Sequence, residues 1–342
     1  MRQLPPSLDH WYAVATSAEL RKQLLSVTLW EKDIVLFRRP TEEVRALEDR
    51  CPHRLVKLSG GSLKGDQLEC PYHGWRFAAD GQCLHVPGMK PDDFRYCKIQ
   101  SYPVLERYGF IWIFPGRLEM ATQREPIAIP EWEHLNQIGS IAPMHCAAHF
   151  SYVIENLMDM HHSHLHRASQ AWSDAELERI EEDSDRVDAY YQATNYYKID
   201  QIWSAAQLFI PALRQPHRSP LVNHYFYPHW RTTLGKDFAL YCLICPVNKT
   251  QTRAWMLHFT SLEAFPALHR LPKVIRHIVK KSLTHSARPL LKKLVDEDMS
   301  MMVQEQQAYQ QEPERRYWQT NRTLAAVQRV IHGQAMAYPK TD

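Results

Sequence analysis

Two short segments of the 342-residue chain carry cysteine and histidine at spacings that suit a metal site. The first contributes Cys51 and His53, and the second contributes Cys70 and His73. Each segment offers one thiolate and one imidazole, whereas zinc fingers place their two cysteines together and their two histidines together. One iron ion can take both thiolates and a second iron both imidazoles, so the pattern predicts a Rieske [2Fe–2S] cluster. A structural zinc ion with the same four ligands is the alternative.

A second group of possible ligands lies in the histidine-rich segment 155–166. Residues three and four apart share one face of a helix, so Asp159, His162 and His166 lie on one stripe if this segment is helical. Two histidines on one face could bind a metal ion together with a carboxylate, as in the facial triad of non-haem iron(II) sites. His161 paired with His166 is an alternative. A zinc protease is disfavoured, because no glutamate follows the first histidine as in H-E-x-x-H.

Both cysteine-histidine segments resemble the cluster-binding loops of the Rieske non-haem iron oxygenases. The similarity is carried by CPHR at 51–54 and CPYHGWRF at 70–77, and it extends to the segments 9–12 and 108–112. It implies an α+β protein in which an N-terminal all-β Rieske domain precedes an α+β helix-grip catalytic domain. It also implies a terminal oxygenase that uses O2 and takes electrons from a separate NAD(P)H-dependent reductase or ferredoxin. We place the boundary between the two domains after residue 118.

The family resemblance also assigns roles within the histidine-rich segment. Asn156, Asp159 and His162 match the pattern N-x2-D-x2-H, and His166 follows at a shorter spacing that some members also show. The matching aspartate, here Asp159, links a cluster histidine of one subunit to an iron histidine of its neighbour. The corresponding pair would be His73 and His162, which implies a ring of subunits and predicts a homotrimer.

The third iron ligand must be a distant carboxylate. The segment 294–307 resembles the late helical segment of the family in which an aspartate completes the triad, and Asp298 is the matching residue. Glu297 and Asp296 remain alternatives, because a slip of one residue rotates a helix by about 100°. The acidic run lies beside three methionines, Met299, Met301 and Met302, which favours a carboxylate that faces inward.

The remaining sequence indicates the elements that position these residues. Short β-type runs separated by turn dipeptides occupy 8–120, and proline-rich text at 116–148 predicts a connector. A helical segment is predicted over 149–183, and strands are predicted over 185–262. A second helix is predicted over 264–312, and the tail after 313 is helical or irregular.

Composition excludes several classes of protein. A net charge of +3 is too small to indicate a nucleic-acid-binding protein. The chain has no apolar run of about 18 residues and no N-terminal signal pattern, and its seven cysteines are too few for a disulfide scaffold. We therefore expect a protein of the reducing cytoplasm. It lacks a dinucleotide-binding GxGxxG motif, so the reductase is expected to be a separate protein.

One basic segment is open to three interpretations. Residues 264–295 combine apolar positions with eight cationic side chains and no acidic one: Arg270, Lys273, Arg276, Lys280, Lys281, Arg288, Lys292 and Lys293. Such a stretch is consistent with a solvated helix face, a docking surface for an acidic ferredoxin, or a peripheral contact with a membrane.

The family resemblance, together with the compact length of the chain, implies hydroxylation or demethylation of a hydrophobic or aromatic small molecule. Oxidative cyclisation, desaturation and ring dihydroxylation are alternative outcomes of the same iron chemistry. An electron carrier with a decayed iron site and a zinc-stapled interaction protein are alternatives outside that chemistry. Aromatic residues that could line a substrate pocket, with packing in the core as the alternative role for each, are Trp203, Tyr225, Phe226 and Trp230. Cys242 and Cys245 lie in a predicted strand, where their side chains point to opposite faces, and both are expected to be packing residues.

Overall fold

The computed structural model describes residues 3–21, 24–134, 136–166, 172–196, 210–234, 238–262, 270, 272–316 and 318–338. Its contacts divide the chain into two compact units. The N-terminal unit comprises residues 7–126, and the C-terminal unit comprises residues 1–6 with 127–342. The segment after residue 118 stays with the N-terminal unit, because the Arg124 carbonyl accepts a hydrogen bond of 2.8 Å from Trp11 Nε1. The functional boundary at residue 118 stays a prediction.

The N-terminal unit is built almost wholly from short antiparallel strands. Its strands are β1 (Tyr12–Thr16), β2 (Leu25–Leu29), β3 (Lys32–Arg38), β4 (Val44–Glu48), β5 (Ser62–Lys64), β6 (Gln67–Glu69), β7 (Arg76–Phe77), β8 (Cys83–His85), β9 (Ser101–Tyr102), β10 (Val104–Arg107) and β11 (Phe110–Ile113). Two helices of four residues each, α1 (Pro91–Phe94) and α2 (Leu118–Ala121), interrupt them. The strands form three sheets, in the orders β1-β11-β10, β2-β3-β4-β9 and β5-β6-β7-β8.

The C-terminal unit is a seven-stranded antiparallel sheet with helices against one face. Its strands are β12 (Gln137–Cys146), β13 (Trp172–Glu182), β14 (Arg186–Asn195), β15 (His217–Phe226), β16 (His229–Leu234), β17 (Phe238–Asn248) and β18 (Gln251–Ser261). The sheet order is β12-β18-β17-β16-β15-β14-β13. The helices are α3 (Phe150–Met158), α4 (Lys273–Gln311) and α5 (Arg322–Ala337). The predicted α+β class is confirmed.

Side chains from both layers of the C-terminal unit meet in one apolar core. Met158 of α3, Val295 and Met302 of α4 and Val330 of α5 belong to the same buried cluster as the helix-facing residues of the sheet. Alternate strand residues point to one face of a sheet, and Tyr225, Trp230, Cys242 and Ala254, from β15 to β18, are among those that reach this core. Removal of this apolar surface from water stabilises the placement of the helices over the sheet.

Two predictions about the elements were wrong. The predicted helix over 149–183 ends at Met158, and residues 172–182 form the edge strand β13. The sequence of β13 is rich in glutamate, which favours a helix. Pairing with β14 overrides that preference, and charged residues are common on an edge strand. The predicted connector contains β12, the opposite edge, where Pro143 is tolerated because an edge strand does not use every amide in pairing.

Candidate functional site

The two cysteine-histidine segments of the N-terminal unit fold alike. The Cys51 carbonyl accepts from the Leu55 amide at 2.8 Å, and the Cys70 carbonyl accepts from the Gly74 amide at 3.2 Å. The amides of Cys51 and Cys70 donate to the carbonyls five residues later, at 2.9 and 2.8 Å. Leu55 and Gly74 both have positive φ angles, 58° and 67°. This shared turn presents a cysteine and a histidine from each loop to the same place.

The four predicted cluster ligands lie close together, with the two thiols on one side and the two imidazoles on the other. Cys51 and Cys70 are buried and their thiols contact each other, whereas His53 and His73 lie at the surface with ring centroids 4.5 Å apart. Burial raises the pKa of Cys51 to about 11, and the neighbouring Cys70 thiol adds to the rise. A buried thiol pair of this kind holds its protons until a metal displaces them. Buried thiolates and exposed imidazoles fit a cluster whose histidine side faces outward.

Trp75 closes one side of this group. Its ring stacks on His53 with an interplanar angle of 5° and a centroid separation of 5.0 Å. Tyr72 lies at 3.8 Å from the His73 ring and is 61% exposed. The tryptophan therefore fixes the plane of one imidazole, and the tyrosine leaves the other beside an exposed aromatic ring.

A second convergence occurs in the C-terminal unit. Ligand atoms of His162, His166 and Asp298 all lie within 4.8 Å of one another. Asp298 Oδ1 lies 3.6 Å from His162 Nε2 and 3.0 Å from His166 Nε2, and it is buried without a hydrogen-bond partner of normal geometry. An unpartnered buried carboxylate oxygen between two imidazoles is the environment that a divalent cation satisfies.

The sequence predicted that His162 and His166 lie on one helix, but the structure does not place them on an α-helix. The helix α3 ends at Met158, and Ser163–His166 form a 3-10 turn. Asp159, in extended conformation at the helix C-cap, turns the chain away. The tighter turn still brings the imidazoles together, with centroids 5.4 Å apart at an interplanar angle of 73°.

Glu297 contacts the far side of one of these imidazoles. Its Oε2 lies 2.9 Å from His166 Nδ1, and Lys293 lies 3.9 Å from its other oxygen. Burial lowers the pKa of His166, but the carboxylates of Asp298 and Glu297 outweigh it and raise the pKa overall. At His162 burial prevails over the same Asp298 carboxylate and lowers the pKa. A neutral imidazole is the form that binds a metal ion.

Asp159 is held from two sides. The His161 amide donates to its Oδ1 at 2.8 Å, and Asn321 Nδ2, at the N-cap of α5, donates to the same oxygen at 2.9 Å. Asn156 lies one turn earlier on α3, and its Oδ1 is buried without a partner. The carboxylate of Asp159 thus has a fixed orientation beside the histidines.

A hydrogen-bond clip ties α3 to α4 and so sets the spacing of the ligands. His149 caps α3, its Nδ1 accepting from the Ser151 amide at 3.2 Å. The His149 amide donates to Gln306 Oε1 at 2.7 Å, and Gln306 lies on α4 two turns after Asp298. This bond joins α3, which precedes the histidine segment, to α4, which carries Asp298.

Sequence reasoning missed Trp172 and Asn321. Trp172 packs on both imidazoles, at 5.4 Å from His162 and 5.3 Å from His166, and its Nε1 donates to the Met160 carbonyl at 3.0 Å. Sequence spacing does not indicate either residue. Trp172 is not part of the predicted face of Asp159, His162 and His166, and Asn321 is 162 residues from its partner Asp159.

The alternative ligands lie elsewhere. His161 is exposed and 3.9 Å from Asp159, and Asp296 pairs with Lys292 at the surface. Cys242 and Cys245 are buried in β17, on opposite faces as predicted, and burial raises the pKa of both thiols. Trp203 lies outside the described residues.

The basic segment is described only in part. Residues 264–269 and 271 and several side chains of α4 lie outside the described residues. Among the described side chains, Val274, Ile275 and Ile278 are 73%, 46% and 63% exposed. No described helix combines the length and the apolar character needed to cross a bilayer.

Comparison with known proteins identifies relatives of both units. Residues 10–103 match the Rieske [2Fe-2S] domain model. The 4beta-methylsterol monooxygenase of Methylococcus capsulatus is 28% identical over the whole chain and 92% of its own length. The oxygenase component of dicamba O-demethylase from Stenotrophomonas maltophilia is 37% identical over half of each chain. Dicamba monooxygenase bound to 3,6-dichlorosalicylic acid has a similar fold, with a TM-score of 0.77 at 20% identity over 97% of this chain and 98% of the other.

Proposed function

The chain belongs to the Rieske non-haem iron oxygenase family, and we propose that it is the terminal oxygenase that hydroxylates or demethylates an apolar or aromatic small molecule. Its cofactors are a [2Fe–2S] cluster and a mononuclear iron(II), and O2 is the cosubstrate. One observation carries the proposal: His162, His166 and Asp298 offer ligand atoms within 4.8 Å of one another. An electron carrier has no use for such a second site.

Residue roles follow from this geometry and are part of the proposal. Cys51, Cys70, His53 and His73 hold the cluster, and His162, His166 and Asp298 hold the single iron. Two imidazoles and one carboxylate leave coordination positions for O2, and the bound irons supply the redox chemistry. Glu297 fixes His166 in the tautomer whose Nε2 faces the metal, and Trp172 restricts the rotation of both rings.

The route for electrons is proposed to run between subunits. His73 is exposed at the cluster, and Asp159 is fixed beside His162 by Asn321. A carboxylate that accepts hydrogen bonds from both imidazoles would join the cluster of one subunit to the iron of the next. This arrangement requires a closed ring of subunits, which we propose is a homotrimer. Sedimentation analysis of the holoprotein tests it, and a monomer at all concentrations would contradict it.

Electrons must come from another protein. We propose a separate NAD(P)H-dependent reductase or ferredoxin as the donor, because relatives such as dicamba O-demethylase are named as oxygenase components. The basic segment 264–295 is a candidate contact for an acidic donor, and its exposed Val274, Ile275 and Ile278 also suit an anionic membrane surface. A cytoplasmic location is proposed from seven cysteines that are all free.

The names of the relatives narrow the substrate class. One acts on a 4beta-methylsterol and another on the methyl ether of dicamba. The helix-facing side of this sheet supplies a mainly apolar floor with Tyr225, Trp230 and Met256. We propose a small molecule with an apolar frame as the substrate. The names of the same relatives favour insertion of a single oxygen atom over cyclisation, desaturation or dihydroxylation.

The proposal is tested by isotope incorporation. The holoprotein is supplied with a reductase, NADH, labelled 18O2 and a panel of apolar compounds that includes methylsterols and aryl methyl ethers. We expect one compound class to gain one labelled oxygen, or to lose a methyl group as formaldehyde, with the wild-type protein only. The matched control is His162→Ala, which retains the cluster. Equal product from this variant would contradict the assigned iron site.

A further inference from the structure

Three buried polar atoms without partners cluster on the helix-facing side of the sheet. They are Asn223 Oδ1 and the Tyr225 hydroxyl on β15, and Trp230 Nε1 on β16. The three side chains are 0%, 0% and 4% exposed. An unsatisfied buried polar group is costly, so native structures rarely keep one without a ligand, an ion or a water to complete it. Three such atoms on neighbouring positions of one sheet face are candidates for a shared partner.

Strand register places the three side chains around one point. Asn223 and Tyr225 are two residues apart on β15 and therefore share a face, and Tyr225 is directly opposite Trp230. Trp230 and Asn223 are diagonal neighbours, for which Cα atoms lie roughly 7–8 Å apart. The three side chains are therefore near neighbours on one face of the sheet.

Side-chain contacts link this group to the proposed iron site. Asn223 Nδ2 donates to the Leu157 carbonyl at 3.3 Å, near the end of α3, and contacts Met160 Sδ at 3.0 Å. The Met160 carbonyl in turn accepts from Trp172, whose ring packs on both His162 and His166. A molecule held by Asn223 is thus held close to the segment that carries the histidines.

The donor and acceptor pattern selects one kind of group. Trp230 Nε1 can only donate, Asn223 Oδ1 can only accept, and the Tyr225 hydroxyl does either. A hydroxyl group of a ligand accepts from the first and donates to the second. An ether or ketone oxygen cannot donate, so it leaves Asn223 Oδ1 unpaired. A hydroxyl therefore satisfies all three protein atoms.

Charge argues against a carboxylate ligand. The two cross-strand rows around the point contain, among the residues that the structure describes on β12 and β14 to β18, no lysine or arginine: Ala142, Met256, Cys242, Trp230, Tyr225 and Val187 in one, and Ser140, His258, Leu240, Thr232, Asn223 and Ala189 in the other. Burial lowers the pKa of His258 to about 4, so this imidazole is neutral at pH 7. A buried anion would have no cationic side-chain partner in these two rows of the described sheet.

We propose that Asn223, Tyr225 and Trp230 form an orienting subsite for a hydroxyl group of the substrate, so that the protein selects apolar alcohols over the matching ethers and hydrocarbons. The subsite rests on the proposed oxygenase function, because it gives these residues a role in positioning the substrate beside the iron. It narrows the substrate class from apolar small molecules to those that carry a neutral hydroxyl close to the bond that is oxidised.

The test measures binding rather than turnover. Equilibrium dialysis of the cluster- and iron-loaded protein compares 2-naphthol, 2-methoxynaphthalene and naphthalene, which share one apolar frame. We expect wild-type protein to bind 2-naphthol at least about tenfold more tightly than the other two, since sites built around a hydroxyl reject analogues that lack it. The variants Asn223→Leu, Tyr225→Phe and Trp230→Phe should each lose most of that preference.

Tyr241→Phe is the matched control. Tyr241 lies on β17 with its side chain on the opposite face of the sheet, and its hydroxyl donates to Glu131 Oε2 at 2.6 Å. Its loss should lower the melting temperature and leave the preference for 2-naphthol unchanged, whereas Tyr225→Phe should lower the preference without lowering the melting temperature.

The outcomes separate the subsite from the function on which it rests. Equal affinities for the three compounds, or a preference that survives all three substitutions, would overturn the subsite and show that only water fills it. Failure of wild-type protein to bind any of them would overturn it as well. The oxygenase function fails independently, when the purified protein holds no mononuclear iron in the presence of added iron(II).

Discussion

The carboxylate of Glu297 lies 2.9 Å from Nδ1 of His166, on the side of the ring opposite to Asp298. The two acidic residues are adjacent on α4, so this helix presents one carboxylate to each nitrogen of the same imidazole. A histidine that ligates a metal through one nitrogen commonly donates a hydrogen bond through the other, which fixes the tautomer and the ring plane. We therefore propose that Asp298 is the iron ligand and that Glu297 orients His166.

Substitution of Glu297 should weaken iron binding without removing a ligand. Glu297→Gln is expected to raise the dissociation constant for iron(II) by about 10–100-fold, because the His166 ring loses its charged acceptor. Asp296→Asn is the control, since Asp296 pairs only with Lys292 at the surface in the described structure. Iron titration with a competing chelator measures both. Equal affinity in the two variants would contradict the orienting role.

The two candidate histidines are separated by a direct comparison. His162→Ala should reduce the mononuclear iron content from one per chain to near zero, while the visible spectrum of the cluster is unchanged. His161→Ala should retain the iron, because that side chain is 54% exposed and outside the triad. Metal analysis of both purified variants decides the assignment. Iron retained by His162→Ala and lost by His161→Ala would reverse it.

The capping histidine of α3 predicts a pH dependence of stability. Burial lowers the pKa of His149 from 6.5 to about 4, so between these values the unfolded chain takes up a proton that the folded chain refuses. Stability should be complete above about pH 6.5 and fall as the pH drops towards 4, by about 3 kcal/mol in total from this group. Denaturant unfolding of wild type and His149→Gln between pH 7 and pH 5 measures the slope. An unchanged slope in the variant would contradict the prediction.

The equivalent turns of the cluster loops predict opposite effects of two substitutions. Gly74 has a φ of 67°, and a Cβ there would meet only Pro87 Cγ at 3.7 Å, so Gly74→Ala should destabilise the protein through backbone strain alone, by about 1 kcal/mol. Leu55 already bears that strain at a φ of 58°, and Leu55→Gly should recover about the same amount. Thermal unfolding of the cluster-loaded protein tests both. A stabilising Gly74→Ala would show that the loops are not equivalent.

The cluster loops could be predicted from sequence because their chemistry is local. Cys51 and His53, like Cys70 and His73, lie within one turn of chain, and the type of ligand indicates the cluster. Asp298 could be reached only through the family resemblance, since it is 132 residues beyond His166 and no local pattern joins them. The choice among Asp296, Glu297 and Asp298 required the rotation of α4, which only packing determines.

Elements whose preference depends on tertiary pairing could not be predicted. The sequence of β13 favours a helix, but the segment forms a strand because it pairs with β14. Trp172 begins that strand and reaches His162 and His166 only as a result. The group of Asn223, Tyr225 and Trp230 requires strand register, because a slip of one residue would point each side chain to the other face.

Metal and sulfide analysis with EPR on anaerobically purified, dithionite-reduced protein tests the central claim most directly. The account predicts about three irons and two sulfides per chain, from one two-iron cluster and one mononuclear site, together with a Rieske signal. A colourless protein that contains zinc, or two irons with no further uptake when iron(II) is added, would contradict it.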